Sequence, residues 1–82
     1  MTHKILIVDD NEAERFLIHR TLKKLGIKEC QIMEANDGEE GYDKIYTEVP
    51  EVVLLDINMP KMNGLEVLKK VKATMDTPPP FI

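Results

Sequence analysis

The sequence predicts an α/β protein built on a doubly wound parallel sheet. Two apolar runs, at residues 4–8 and 52–55, are continuous rather than alternating, which is typical of strands buried on both faces of a parallel sheet. Helical patterns separate the predicted strands, so we expect the element order βαβαβα. Right-handed crossovers then favour the strand order 2-1-3, with the first helix on one face and the other two helices on the opposite face.

The first strand leads directly into the first helix. Acidic residues occupy a first helical turn at Glu12 and Glu14, and either Asp10 or Asn11 is suited to cap it. Apolar residues then recur at helical spacing from 17 to 25. Gly26 stands where a left-handed C-terminal cap belongs, so the helix is expected to end there.

The second half-unit is expected as a strand at about 30–35 and a helix at about 39–46. An Asn-Asp-Gly turn at 36–38 joins the two elements. Gly41 lies inside this helix, where it costs about 1 kcal/mol relative to alanine. Pro50 ends the helix, and a third strand at 52–56, a loop at 59–64 and a third helix at 65–74 follow.

We expect a single domain, residues 1–82, in which 77–82 form a connector and the start of a fourth strand. The three prolines at 78–80 cannot continue a helix and are typical of a stiff connector. Phe81 and Ile82 then have the apolar character of a strand. The outer edge of the third strand is expected to lack a cover, and an uncovered apolar edge is a template for pairing.

Composition restricts the functions that we expect. With 15 acidic and 11 basic residues the net charge is −4, so binding to nucleic acid or to an anionic membrane has no electrostatic support. No segment approaches the roughly 20 apolar residues of a membrane span, and the start leaves no room for a signal peptide. A cytoplasmic protein is therefore expected, with Cys30 as a small buried thiol in a strand and with His3 and His19 exposed to solvent.

Aspartates follow two of the predicted strands. Asp9 and Asp10 end the first apolar run, and Asp56 ends the run at 52–55. Because adjacent parallel strands end at the same edge, these side chains should share the crevice in which open α/β sheets bind ligands. Crowded carboxylates repel one another, so at least one pKa should rise unless a cation, for which Mg²⁺ is suited, shares the site. A carboxylate beside such an ion can attack phosphorus to give an acyl phosphate.

Each of these features also has a purely structural interpretation. The paired aspartates can be a helix cap, and Asp56 can be a turn residue at the end of a strand. Taken together they favour a site, because capping needs one aspartate and does not need a matching aspartate on the neighbouring strand.

The chain resembles the receiver domain of two-component response regulators, a family with a flavodoxin-like fold. The resemblance runs through three stretches: Ile-Leu-Ile-Val-Asp-Asp at 5–10, Ala-Asn-Asp-Gly-Glu-Glu at 35–40, and the highly specific run at 53–64. By this resemblance Asp56 is the phosphoacceptor and Asp10 a direct ligand of Mg²⁺. Asp9 is implied to be a ligand through water, and Asn58 a ligand through its backbone carbonyl.

The resemblance implies a signalling module rather than an enzyme. Its partner would be a histidine kinase or a phosphotransfer protein. Receiver domains have about five strands and five helices, and a Ser or Thr after the fourth strand and a Lys after the fifth contact the phosphoryl group. This sequence has no lysine after Lys72 and no hydroxyl residue after Thr77, so the chain is expected to be the first part of a receiver domain with impaired phosphotransfer.

Two alternatives stay open at this stage. The chain can be a structural half-domain that pairs with itself, or with a complementary fragment, through the edge of the third strand. It can also be a hydrolase of the aspartyl-phosphate phosphatase type. The second alternative is disfavoured because that family's pattern is Asp-x-Asp after the first strand, whereas Asp9 and Asp10 are adjacent.

Overall fold

The central sheet has three parallel strands. The computed structural model describes residues 4–56 and 63–82. The strands are β1 (Ile5–Val8), β2 (Ile32–Ala35) and β3 (Val52–Leu55), arranged in the order β2-β1-β3. Ile5 of the central strand lies opposite Ile32 on one side and Val52 on the other. The predicted α/β class, parallel sheet and strand order are confirmed.

Each strand is followed by an α-helix. These helices are α1 (Glu12–Lys24), α2 (Gly38–Glu48) and α3 (Gly64–Thr74), and a short 3₁₀ helix (Glu29–Gln31) precedes β2. Each α-helix begins after a side chain that accepts a hydrogen bond from a backbone N–H in the first turn, and these caps are Asn11, Asp37 and Asn63. No helix in the described ranges combines the length and hydropathy that a membrane crossing requires.

The main core lies between the sheet and the pair formed by α2 and α3. Its fully or almost fully buried members are Leu6, Val8, Ala35, Ile45, Val53, Val67 and Val71. Side chains alternate along β1, so buried Ile7 points to the opposite face, where it borders a groove with Ile18 of α1. A Cβ at Gly41 would stand only 2.8 Å from Val8 Cγ1, so glycine lets α2 approach β1 closely.

The outer edge of β3 is covered by the chain itself, so the expectation of an open edge is wrong. Val53 N–H donates to the carbonyl of Pro80 at 2.9 Å, and Leu55 N–H donates to that of Ile82 at 3.0 Å. Ile82 N–H returns a bond to the carbonyl of Val53 at 2.9 Å, and Phe81 pairs in parallel with Val53. Residues 80–82 therefore satisfy the backbone groups that sequence reasoning left unpaired.

The edge formed by β2 is protected differently. Asp9 N–H donates to the carbonyl of Ala35, so the preceding carbonyl, that of Glu34, points away from β1. Lys44 of α2 donates to this outward carbonyl at 2.6 Å. A charged lysine at a sheet edge discourages pairing with another chain, so this edge is an unfavourable place for strand addition.

Cys30 is exposed and lies in the 3₁₀ helix, so the expectation of a buried strand cysteine is wrong. The cause is a local turn. Lys28 N–H donates to Gln31 Oε1 at 3.0 Å, and Gln31 N–H donates to the carbonyl of Lys28 at 2.9 Å. These two bonds hold the residues in a turn, so β2 starts at Ile32 rather than at Cys30.

His19 is also not solvated as expected, because its ring lies between two carboxylates. Nδ1 is 2.7 Å from Glu34 Oε2, Nε2 is 2.9 Å from Glu29 Oε1, and the side chain is 18% exposed. Only the imidazolium form carries a proton on both ring nitrogens and so can donate to both acceptors. The hydrogen bond to Glu29, supported by Glu34 and opposed by burial, raises the pKa of His19 above its usual 6.5. His3 lies outside the described residues.

We expect the contribution of His19 to stability to depend on pH. A raised histidine pKa stabilises the fold below the pKa of the unfolded chain, and the stabilisation is lost as pH rises through the folded pKa. The pKa of Glu29 is lowered, chiefly by its hydrogen bond to His19, so this partner stays ionised in that range. His19→Gln should therefore lower the melting temperature more at about pH 6 than at about pH 8.5.

Thermal unfolding of both proteins at these two pH values measures the difference. Arg20→Gln, a change at an exposed position of the same helix, is the matched control and should show no such pH dependence. An equal effect of His19→Gln at both pH values would contradict a protonated ring between Glu29 and Glu34.

Candidate functional site

The backbone ladder carries two aspartates to the same edge of the sheet. Asp9 N–H donates to the carbonyl of Ala35 at 3.1 Å, which extends the pairing of β1 with β2 by one bond. Asp56 N–H donates to the carbonyl of Val8 at 2.9 Å, which does the same for β3 and β1. Both aspartates therefore leave the sheet where the carboxyl ends of its parallel strands meet.

A tight turn places the start of α1 beside Asp9. The Asp9 side chain is almost fully buried, and its Oδ1 accepts a bond from Asn11 N–H at 2.9 Å. Asn11 in turn caps α1, because its Oδ1 accepts from Glu14 N–H at 3.0 Å. Of the two caps that the sequence left open, Asn11 is the one observed. The turn brings Glu14 back toward Asp9.

Three carboxylates come together at this edge: Asp9, Glu14 and Asp56. One oxygen from each lies within 4.8 Å of the others. Asp10 is exposed and, among the described residues, stands outside this trio. Asn58 lies outside the described ranges, so the roles of Asp10 and Asn58 stay predictions.

Glu14 is a member that the sequence reasoning missed, since the sequence indicates for it only a place in the acidic first turn of α1. Its position three residues after the cap was an available signal, because side chains in a helix lean toward the N-terminus and here toward the end of β1. The sequence does not show how the chain turns between Asp9 and Asn11. Without that turn, the signal could not be distinguished from the usual preference for acidic residues at the N-terminus of a helix.

The pKa of the Glu14 carboxyl is raised above 4.5. The largest cause is a hydrogen bond with the Asp9 side chain, followed by the charge of Asp9, by burial and by the charges of Asp56 and Asp10. Two ionised carboxylates cannot hydrogen-bond to each other, because both are acceptors only. The contact and the neighbouring charges therefore favour the protonated form of Glu14. The sequence predicted a raised carboxyl pKa among Asp9, Asp10 and Asp56, whereas the shift falls on Glu14.

We expect Glu14→Gln to stabilise the protein without added metal at neutral pH and low salt. An acid whose folded pKa is raised lowers stability as pH rises through its unfolded pKa, and the loss is complete above its folded pKa; glutamine removes this loss. The gain in melting temperature at pH 7 should shrink at about pH 4, where Glu14 itself is protonated. Glu12→Gln, which alters an exposed acid in the same helical turn, is the control for the helix dipole. Equal effects of the two substitutions at pH 7 would show that Glu14 feels no special repulsion.

The donor set fits a hard divalent cation. Its ligand atoms are all carboxylate oxygens, which Mg²⁺ and Ca²⁺ prefer to nitrogen or sulfur. The neighbouring negative charges are a second sign of fit. After the hydrogen bond with Asp9, the charges of Asp9, Asp56 and Asp10 contribute to the raised pKa of Glu14, and a cation would relieve this excess of negative charge. Asp9 Oδ1 is held by the bond from Asn11 N–H, and Asp56, the third member of the group, is half-buried.

Comparison with known proteins gives consistent results. Residues 5–82 match the family model described as the response regulator receiver domain. A Rhizobium etli protein named "Probable chemotaxis protein CheY" is 47% identical over 75 residues, which are 90% of this chain and 56% of that protein. The alkaline phosphatase synthesis transcriptional regulatory protein PhoP of Bacillus subtilis is 39% identical over 72 residues, which are 88% of this chain and 29% of that protein.

A solved structure shares both the fold and much of the sequence. The response regulator TrrA of Thermotoga maritima, in complex with Mg²⁺ and BeF, superposes with a TM-score of 0.79 and 35% identity. The match covers 88% of this chain and 60% of that one. The chain thus spans about half or less of the two named sequence relatives and about three fifths of this structure.

Proposed function

The chain belongs to the response regulator receiver domain family of two-component signalling, and we propose that it accepts a phosphoryl group on Asp56. The observation that carries the proposal is the approach of Asp9, Glu14 and Asp56 to within 4.8 Å at the carboxyl ends of β1 and β3. Neither a helix cap nor a strand end requires that convergence.

We propose Mg²⁺ as the cation of this site. Asp9, Asp10 and Asp56 with the backbone carbonyl of Asn58 are the proposed ligands, and Glu14 is within reach to join them. When bound, the ion would neutralise negative charge on the transferring phosphoryl group. The similar TrrA protein, whose structure is a complex with Mg²⁺ and BeF, supports this choice of metal.

The residues of the chain have separate tasks in the proposed transfer. A carboxylate oxygen of Asp56 attacks phosphorus, an O–P bond forms, and the bond between phosphorus and the donor breaks with its electron pair leaving on the donor. Asn11 N–H keeps the Asp9 carboxylate oriented toward the site. A carboxylate oxygen of Glu14 lies within 4.8 Å of ligand oxygens of Asp9 and Asp56, so Glu14 would add negative charge around the bound ion.

The proposed partner is a histidine kinase or a phosphotransfer protein that supplies the phosphoryl group. We propose a signalling module and not a turnover enzyme, with no nucleic acid or membrane partner for this chain. The net charge of −4 supports that choice, because it gives no attraction to other polyanions. A cytoplasmic location stays a prediction of the sequence.

Slow, magnesium-dependent phosphorylation of Asp56 is the test. With acetyl phosphate and MgCl₂, intact mass spectrometry should show one added phosphoryl group, and Asp56→Asn should abolish it. The rate should be far below that of an intact receiver, because no lysine follows Lys72 and no hydroxyl residue follows Thr77 to stabilise the phosphoryl group. Asp43→Asn, at an exposed position on α2, is the matched control and should be phosphorylated like the parent chain. A mass gain that survives Asp56→Asn would reject Asp56 as the acceptor.

A homodimer, or a complex with a complementary fragment, is also proposed, but its contact surface differs from the edge of β3. Residues 80–82 occupy that edge, whereas an apolar groove of about 300 Å³ remains beside it on the α1 face of the sheet. Ile18, Leu54 and Ile82 border the groove, and Ile82 is 80% exposed. Burial of this surface is the expected driving force.

If a second copy covers the groove, the melting temperature should rise with protein concentration. Sedimentation and thermal unfolding across a wide concentration range measure both properties. Ile82→Ser should weaken association. Leu65→Ser, which changes an exposed apolar residue on α3 away from the groove, should not. A monomer whose melting temperature is independent of concentration would reject the dimer.

A further inference from the structure

Arg15 of α1 connects the ends of β1 and β2. Its Nη1 donates to the backbone carbonyl of Asp9 at 2.6 Å, and its Nε donates to Glu34 Oε1 at 3.2 Å. The side chain is only 14% exposed, so these bonds are shielded from water. A guanidinium can hold two acceptors in a fixed geometry, which a lysine ammonium on a flexible stem cannot reproduce.

The bond to the carbonyl of Asp9 completes the restraint of that residue. Asp9 N–H is bound in the ladder by Ala35, and Asp9 Oδ1 is bound by Asn11. The carbonyl of Asp9 lies beyond the end of β1, where Arg15 is its donor. The direction of this carbonyl fixes the peptide plane between Asp9 and Asp10, and hence the path of the chain into the site.

Glu34 holds the guanidinium in place. Its Oε1 accepts from Arg15 and its Oε2 lies 2.7 Å from His19 Nδ1, so both oxygens have partners on α1. The pairing also compensates the charge of Arg15 locally. Arg15 therefore acts on Asp9 mainly through the position of a hydrogen bond rather than as an unpaired positive charge.

We propose that Arg15 is a positioning residue for the carboxylate site, holding the main chain of Asp9 so that the Asp9 and Asp10 carboxylates face the cation. The proposal rests on the cation-binding function proposed above for this edge. Partners that orient the ligands of a metal typically change its affinity by about 10-fold to 100-fold when they are removed. Arg15 has such a place, since it donates to the backbone carbonyl of the ligand residue Asp9 rather than to its carboxylate.

The affinity for Mg²⁺ can be measured by titrating the 82-residue chain with MgCl₂ and monitoring its backbone amide shifts. The parent chain, Arg15→Met and Arg15→Lys are compared in this way. Methionine removes both donors while filling similar space, and the affinity for Mg²⁺ should fall about 10-fold. Lysine keeps the charge and has three donors on one compact ammonium, but it lacks the fixed fork of the guanidinium, so it should recover part of that loss. The carbonyl carbon shift of Asp9, measured without metal, should move in Arg15→Met because its hydrogen bond is gone.

Leu22→Ala separates positioning from general destabilisation. Leu22 is half-buried on α1, so alanine should lower the melting temperature without touching Asp9. Its affinity for Mg²⁺ and its Asp9 carbonyl shift should stay as in the parent chain. In the parent chain itself, the Arg15 Nε–H resonance should exchange slowly with water, a measurement that needs no variant.

The possible outcomes distinguish the two proposals. If the parent chain shows no shift with Mg²⁺ near Asp9, Asp10 and Asp56, the proposed cation site is wrong and the positioning role toward it falls as well. If the parent binds Mg²⁺ and Arg15→Met binds it equally, Arg15 is not a positioning residue. If Arg15→Met fails to fold, two other measurements test the proposal. Parent-like affinity for Mg²⁺ in Arg15→Lys, or rapid exchange of Arg15 Nε–H in the parent chain, would overturn it.

Discussion

The pairing of β1 with both of its neighbours is the constraint on which the rest of the molecule depends. The bonds from Asp9 N–H to Ala35 and from Asp56 N–H to Val8 are the last rungs of the two ladders. Parallel register fixes where each strand ends, so the backbone brings the two aspartates to the same edge, and the bond from Asn11 N–H then orients the Asp9 carboxylate. The apolar side chains of β1 serve the same end, because their burial on both faces keeps the central strand in register.

This placement creates an electrostatic conflict that the fold only partly resolves. One carboxylate oxygen from each of Asp9, Glu14 and Asp56 lies within 4.8 Å of the others, and the hydrogen bond with Asp9 together with the neighbouring negative charges raises the pKa of Glu14. A structure selected for stability alone would separate these charges. Here the turn at Asn11 holds Glu14 against Asp9. A cation would remove the conflict, so the unfavourable arrangement is understandable as preparation for binding.

The sequence predicted the sheet and offered Asn11 as one of two caps for α1, because those depend on local signals. It failed at the local turn that holds Cys30 outside β2 and where contacts between distant residues decide. The continuous apolar strands, and the aspartates Asp9 and Asp56 directly after two of them, can be recognised from neighbouring residues in the sequence. The hydrogen bonds of His19 to Glu34 and Glu29 join residues 15 and 10 positions apart, and no periodicity indicates them. The pairing of residues 80–82 with β3 escaped for the same reason. A connector rich in proline does not reveal which edge it returns to.

The side chains of α1 show how a surface helix can serve both the fold and the site. Its apolar residues are poorly buried: Phe16 and Leu17, and Leu25 directly after the helix, are each more than half exposed. Apolar contact alone therefore gives this helix a weaker hold than α2 and α3 have on the opposite face. Polar contacts supply the missing restraint: Arg15 and His19 both reach Glu34, and Arg15 continues to the carbonyl of Asp9. Because hydrogen bonds are directional where apolar contacts are not, they fix α1 in rotation as well as in distance. Thus α1, which has no fully buried side chain, is oriented by hydrogen bonds that lead directly to the carboxylate site.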